Sequence, residues 1–260
     1  ENKKSKRDRF CGRQRIISGP NCGKTLLRGA ERGEMTVIVH SLEPITLVGA
    51  GSLGDSDIDD SLALAPTLAA ADGGAAHCLA ADHMPEAVIG DMDSLDMVQA
   101  AGIPWERLHE ITEQDSTDFD KALRHIETPL VLAVGFTGAR MDHELAVHNA
   151  LVRYPNRRCV LIGETDVLCV APPKLTLDVP VGTRVSLFPM CSVTGRSEGL
   201  KWPIDGLGFA PDGMIGTSNA ATGTVTLEMD GPGMLLILPK ALLPVLVKTL
   251  LATPEGWPAP

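Results

Sequence analysis

None of the six cysteines, Cys11, Cys22, Cys78, Cys159, Cys169 and Cys191, belongs to a Cys-x-x-Cys pair. The usual zinc and dithiol spacings are therefore missing, and the thiols read as reduced, mostly structural groups of a cytoplasmic protein. Long apolar runs are missing too. The most apolar tract, residues 234–252, is broken by Pro239, Lys240, Pro244 and Lys248, so it reads as a strand followed by a helix and not as a membrane span. Basic residues are scarce outside the first 34 positions. Those 34 hold ten of the 23 Lys and Arg but only four of the 33 acids, which leaves 13 bases against 29 acids, or −16, in the remainder. So acidic a remainder argues against nucleic acid as the main partner.

What the chain does have is enough apolar material for a core: 260 residues, 44% of them hydrophobic, suit one large domain or two modest ones. Residues 1–34 are basic and aperiodic, begin at Glu1, and are expected to form an arm that is disordered or non-native; Met35 opens the first apolar run. Within the arm, Gly19-Pro20-Asn21-Cys22-Gly23-Lys24-Thr25 falls short of a phosphate loop. Three residues, not four, separate its glycines, and no strand precedes it.

From there the pattern alternates. Strands are expected at 45–48, 87–89, 107–111, 130–134 and 159–162, with helices at 58–64, 95–101, 117–126 and 141–152. That is a doubly wound, mostly parallel α/β sheet over residues 35–171. After Pro172-Pro173 the texture changes to short segments at 175–179, 184–188, 191–194, 223–228 and 234–238, separated by Gly and Pro. Residues 172–260 are accordingly expected to form an antiparallel β-sandwich with a C-terminal helix.

Two acidic stretches carry the chemistry. Ile89-Gly90-Asp91-Met92-Asp93-Ser94 leaves the carboxyl end of an apolar strand, which is where open α/β sheets hold ligands. About twenty residues later comes Gln114-Asp115-Ser116-Thr117-Asp118-Phe119-Asp120-Lys121. Asp91 and Asp93, on an extended turn, can aim at one point, and Asp115 with Asp118 would bring a second pair. Such crowding is costly without a cation, and hard oxygen donors with little Cys or His nearby select magnesium, which usually arrives with phosphates. The same residues also suit a helix N-terminus and a solvated turn. Gly49-Ala50-Gly51-Ser52-Leu53-Gly54 satisfies Gly-x-Gly-x-x-Gly, and Asp72 lies some twenty residues on, so a dinucleotide oxidoreductase is a rival reading. Yet hydride transfer has no use for the carboxylates downstream.

Six segments together resemble the thiamine pyrophosphokinase family. They are Asp72-Gly73-Gly74-Ala75, the Gly90-Asp91-Met92-Asp93 turn, Gln114 to Lys121, Gly138-Ala139-Arg140-Met141-Asp142-His143, Gly199-Leu200-Lys201-Trp202 and Thr217-Ser218-Asn219. The resemblance implies an α/β nucleotide domain, a β-sandwich that supplies thiamine contacts, and a homodimer with active sites between subunits. It implies Mg²⁺-dependent transfer of diphosphate from ATP to the thiamine hydroxyl, releasing AMP. In this sequence Asp72, Asp91, Asp93 and Asp118 would hold the metal, with Asp91, Asp93, Asp118, Lys121 and Arg140 catalytic. Asp72, Gly73, Gly74, Gln114, Asp115, Thr117, Lys121, Arg140 and Asp142 would engage nucleotide or phosphates, and Trp202, Ser218 and Asn219 would face thiamine. His143 reads as structural. Two departures stand out: Ala139 replaces a usual second glycine, and Asp120 adds a charge, expected close to the metal, where Thr is common. A metal-dependent phosphohydrolase, a diphosphokinase of another alcohol, and a non-catalytic thiamine or nucleotide sensor remain alternatives.

Overall fold

A computed structural model describes residues 36–93, 102–253 and 256–260. All of them fall within one compact unit, Arg32–Pro260. The arm at 1–34 and the expected helix at 95–101 lie outside the described residues, except that the chain is again described from residue 102.

The N-terminal half opens with β1 (Val39–His40) and β2 (Ile45–Val48), then α1 (Asp57–Leu62), β3 (Thr67–Ala71) and α2 (Gly74–Ala80). Next come β4 (Ala87–Gly90), β5 (Leu108–Glu110), α3 (Asp118–His125), β6 (Ile126–Glu127), β7 (Val131–Val134), α4 (Met141–Arg153), β8 (Cys159–Ile162) and β9 (Asp166–Val170). The C-terminal half contributes β10 (Lys174–Leu177), β11 (Arg184–Pro189), β12 (Gly195–Leu200), β13 (Gly216–Met229), β14 (Met234–Pro239) and α5 (Leu243–Ala252).

Parallel pairing runs β2, β7, β8 on one side and β3, β4, β5 on the other, with β3 lying beside β2. Side chains alternate across this layer, as the two-residue strand period requires. Leu132, Val134, Val160 and Ile162 join a core containing Ile58, Ala75 and Cys78 of α1 and α2 and the inward residues of the C-terminal half. Val131, Ala133, Cys159 and Leu161 face the opposite way, onto Phe119, Ala122 and Leu123 of α3 and Val147, Ala150 and Leu151 of α4. Helices thus cover both faces of the parallel strands, and each face has its own core.

The strand β9 reverses direction: it pairs antiparallel with β8 on one edge and with β14 on the other. One path of hydrogen-bonded strands therefore continues from the parallel half into the antiparallel half. The 14-residue β13 joins the two layers of that half. Its start pairs with β11 and its end with β10 and β12. The fold is the α/β sheet followed by an antiparallel β-sandwich that the sequence implies.

Three details differ from expectation. No strand forms at 191–194; the strand is β12, four residues on, held by its register with β13 although Gly195-Arg196-Ser197-Glu198-Gly199-Leu200 is poor in strand formers. The expected strand at 223–228 is the second half of β13. The strands β1, β3, β6 and β9 are not among the expected ones. In β3 the run Leu68-Ala69-Ala70-Ala71 is buried on both faces, where small residues fit and no alternation appears.

Candidate active site

Four chain segments meet at the carboxyl ends of β2, β3, β4 and β7. After β2, Gly49 and Gly51 lie against the loop that follows β7: Gly49 N donates to Val134 O at 2.8 Å, and Gly51 N to Gly135 O at 2.6 Å. A Cβ on Gly51 would sit 2.6 Å from the Gly135 oxygen, so the approach requires glycine there. After β3, Asp72 takes a positive φ of 39° and is almost fully buried. The glycines that follow it divide the work. Gly73 lines the cleft described below, whereas a Cβ on Gly74 would stand 2.1 Å from Val48 O, so Gly74 lets α2 close on β2.

After β4, Gly90 brings Asp72 and Asp118 close, since its Cβ would meet Asp72 Cβ at 2.6 Å and Asp118 Oδ1 at 3.2 Å. Thr117 caps α3, its side chain accepting from Asp120 N at 3.3 Å, and this places Asp118 in the first helical turn. One carboxylate oxygen each from Asp72, Asp91 and Asp118 then falls within 4.8 Å of the others.

Asp93 is not in that set among the described residues. Met92 adopts a φ of 63°, so the turn is not the extended one assumed from sequence, and Asp93 remains exposed, its amide 3.4 Å from Asp91 Oδ1. Asp115 and Gln114 are exposed on the loop before α3, and Asp115 likewise stands outside the set.

Lys121 lies one turn beyond Asp118 with 1% of its side chain exposed; its Nζ is 2.8 Å from Asp91 Oδ2 and 3.1 Å from Asp118 Oδ1. Burial opposes the ammonium, but the two carboxylates outweigh it and hold Lys121 above the ordinary lysine value. The Lys121 hydrogen bond, in turn, holds Asp91 below the usual carboxylate range. Asp120 behaves differently from what its neighbourhood in sequence suggested. Two residues along a helix amount to a rotation of roughly 200°, so Asp120 leaves α3 on the side away from Asp118. It is neutralised there by Arg124 Nε at 2.7 Å and Arg153 Nη1 at 3.0 Å, and it adds nothing to the cluster of three.

Beside the carboxylates is a cleft of about 280 Å³ lined by Gly51, Asp72, Gly73, Thr117, Asp118, Phe136, Thr137, Ala139, Arg140, His143 and Val147, among others. Arg140, His143 and Val147 recur at i, i+3 and i+7, one face of α4. Phe136 packs edge-to-face on Phe119 with centroids 4.8 Å apart, which seats the apolar wall. Phe136, Thr137, His143 and Val147 were not singled out as ligand-facing from sequence; the helical spacing from Arg140 was the available signal. Arg140 and Asp142, both exposed, form a forked pair at 2.7 and 3.2 Å, which lowers the Asp142 pKa and raises that of Arg140.

The residues expected at thiamine lie elsewhere, on β13 and the turn after β12, and none lines this cleft. Asn219 is buried, and its side-chain amide clamps the Trp202 backbone: Trp202 N donates to Oδ1 at 3.1 Å and Nδ2 donates to Trp202 O at 2.7 Å. Lys201 Nζ stands 4.5 Å from the centre of the Trp202 ring, which is 55% exposed. Ser218 holds a φ of 62°, and its amide donates to Ser186 Oγ at 2.9 Å.

Two family models match the chain in succession: thiamin pyrophosphokinase, catalytic domain, over residues 58–162, and thiamin pyrophosphokinase, vitamin B1 binding domain, over 174–233. The chain belongs to the thiamin pyrophosphokinase family. Thiamine pyrophosphokinase 2 of Arabidopsis thaliana is 29% identical over 168 residues, which is 57% of this chain and 63% of that protein. Thiamine pyrophosphokinase 1 of Oryza sativa subsp. japonica is 29% identical over 156 residues, 53% of this chain and 59% of the relative. The chain thus spans about three fifths of these curated relatives. In fold it matches the thiamin pyrophosphokinase of Geobacillus thermodenitrificans, with a TM-score of 0.61 at 23% identity over 75% of this chain and 96% of that one. That of Candida albicans gives 0.65 at 13% identity over 81% and 97%. The acidic cluster, Arg140 and the cleft lining other than Ala50 and Gly51 lie on the stretch matched by the family's catalytic model, and Trp202, Ser218 and Asn219 on the stretch matched by the vitamin B1 model.

Proposed function

We propose that the chain moves the β,γ-diphosphoryl group of ATP, as one unit, onto the primary hydroxyl of thiamine. The new bond joins the thiamine oxygen to the β-phosphorus, the bond from that phosphorus to the α,β-bridging oxygen breaks, and the products are thiamine diphosphate, AMP and a proton. The observation that carries this reading is the convergence of Asp72, Asp91 and Asp118 within 4.8 Å at the edge of a cleft, on a chain of this family.

Three carboxylates fit a hard divalent cation by donor type, and Asp72, Asp91 and Asp118 are the residues that would hold magnesium, with Asp93 next to Asp91. Bound there, magnesium would neutralise phosphate charge and help align the attack. The protein's own groups do the rest. Arg140, at the head of α4 and exposed to the cleft, offers a planar fork to phosphate oxygens once it leaves Asp142. Gly51, Gly73 and Thr117 line the nucleotide side. Lys121 is buried beneath the carboxylates and acts through them, fixing Asp91 and Asp118. A carboxylate of the set accepts the hydroxyl proton. Gln114, Asp115, Asp142 and Gly74 belong to the nucleotide half by loop and position.

Trp202, Ser218 and Asn219 form the thiamine side, with the division between the two functions near residues 171 and 172. Because these residues do not line the cleft of the same chain, a homodimer in which one subunit's sandwich faces its partner's cleft accounts for both. No helix among the described residues is long and apolar enough to cross a membrane. A cytoplasmic location, free of membrane and nucleic-acid partners, belongs to the same proposal.

Incubation with ATP, thiamine and magnesium, followed by nucleotide analysis, tests the reading: AMP and thiamine diphosphate should accumulate in equal amounts. Phosphate release without thiamine would indicate a phosphohydrolase, and tight binding without turnover a sensor.

A further inference from the structure

The loop before α3 is tied to the helix by one side chain, that of Arg124. Arg124 Nε donates to Asp120 Oδ1 at 2.7 Å, while its Nη2 donates to Ser116 Oγ at 3.0 Å and to Glu113 Oε1. Ser116 Oγ donates to Glu113 as well. The second Asp120 oxygen accepts from Arg153 Nη1 of α4 at 3.0 Å, and Arg157, in the loop that follows α4, donates to the Arg124 carbonyl at 3.4 Å. The side chains are well covered, Arg124 at 15% exposure and Asp120 at 5%. One end of the guanidinium therefore grips a buried carboxylate anchored to both helices, and the other grips the 113–117 loop. That loop runs directly into Thr117 and Asp118, which line the cleft.

We propose that Arg124 is a positioning residue for the nucleotide side of the site, holding the 113–117 loop, and through it Thr117 and Asp118, against the pair α3 and α4. The inference rests on the diphosphotransfer reading for its kinetic consequence, but not for its geometric one. It also gives Asp120 a purpose: the extra acid anchors the fork. Arginine is required because a lysine four residues after Asp120 could still meet that carboxylate but has no second arm for Glu113 and Ser116.

The test compares Arg124→Lys and Arg124→Met with the wild-type chain. In Arg124→Lys, melting temperature should stay near wild type, KM for ATP should rise about tenfold with KM for thiamine little changed, and amide exchange at 113–117 should accelerate. Arg124→Met should show the same ATP defect together with a lower melting temperature. Wild-type ATP kinetics and loop exchange in Arg124→Lys would overturn the proposal, as would a stability loss in Arg124→Met without faster loop exchange. If the wild-type chain yields no AMP, it is the diphosphotransfer reading that fails, and the exchange measurement still decides the role of Arg124.

Discussion

Lys121 Nζ lies 2.8 Å from Asp91 Oδ2 with almost none of its side chain open to solvent, so the lysine is an internal counter-ion of the acidic cluster. Removing one partner from such a pair is expensive, because it leaves the other charge uncompensated; about 3 kcal/mol is expected. Lys121→Met should therefore melt at a clearly lower temperature than wild type in EDTA and recover much of the difference in millimolar magnesium, which would take over the compensation. Its turnover should fall by roughly a hundredfold or more, since Asp91 and Asp118 lose their orientation. A melting temperature in EDTA equal to that of wild type would contradict the counter-ion role.

Both polar atoms of the Asn219 side chain are engaged within the chain, Oδ1 by the Trp202 and Ala220 amides and Nδ2 by the Trp202 carbonyl. Its influence on thiamine should therefore pass through the indole. A cation on an indole face is worth about 0.5 to 2 kcal/mol, so Trp202→Ala should raise KM for thiamine by roughly two- to thirtyfold. Asn219→Ala should reproduce most of that rise while leaving KM for ATP unchanged. An Asn219→Ala enzyme with normal thiamine kinetics would separate the two residues.

Lys240, where β14 ends in the C-terminal half, donates to Asp57 Oδ1 at 2.6 Å, and Asp57 Oδ2 accepts from Gly54 N at 2.9 Å. Burial pushes the Asp57 carboxyl up, but Lys240 and the Gly54 amide prevail and hold it below its ordinary value of 3.8. A depressed carboxylate pKa contributes stability that is complete above the unfolded value and is lost as pH falls through the folded one. In Lys240→Met only burial and the amide remain, and the carboxyl should rise. Melting curves from pH 7 to pH 3 should show the variant weaker by about 2 kcal/mol near neutrality. The gap should narrow as pH falls from the variant's raised carboxyl pKa through the depressed one of the wild type. A gap that is constant with pH would assign the loss to packing of the lysine stem.

Much of the parallel layer could be read from sequence, because β2, β4, β7 and β8 are short apolar runs bounded by glycines and loops, and α3 and α4 carry clear apolar stripes. The alanines of β3 and the polar composition of β12 carry no such signal; both strands owe their existence to neighbours distant in sequence. The site was legible as a set of residue types but not as a geometry. Asp72, Asp91 and Asp118 come together because β3 and β4 end and α3 begins at one edge, whereas Asp93, beyond the left-handed turn at Met92, stays exposed beside Asp91. Asp120, close to Asp118 in sequence, belongs to another face of the helix, and its partners Arg124 and Arg153 come from two different helices. Helical phase alone separates Asp118 from Asp120, but only the packed structure supplies Arg153.

The proposed reaction is attack at the β-phosphorus, with the terminal two phosphates of ATP transferred together. The most direct measurement uses ATP carrying ³²P at the β position, incubated with thiamine, magnesium and the full chain, with products separated and counted. The label should leave the nucleotide and appear in thiamine diphosphate in step with unlabelled AMP. Label retained in ADP, with only the terminal phosphate moved or released, would contradict it.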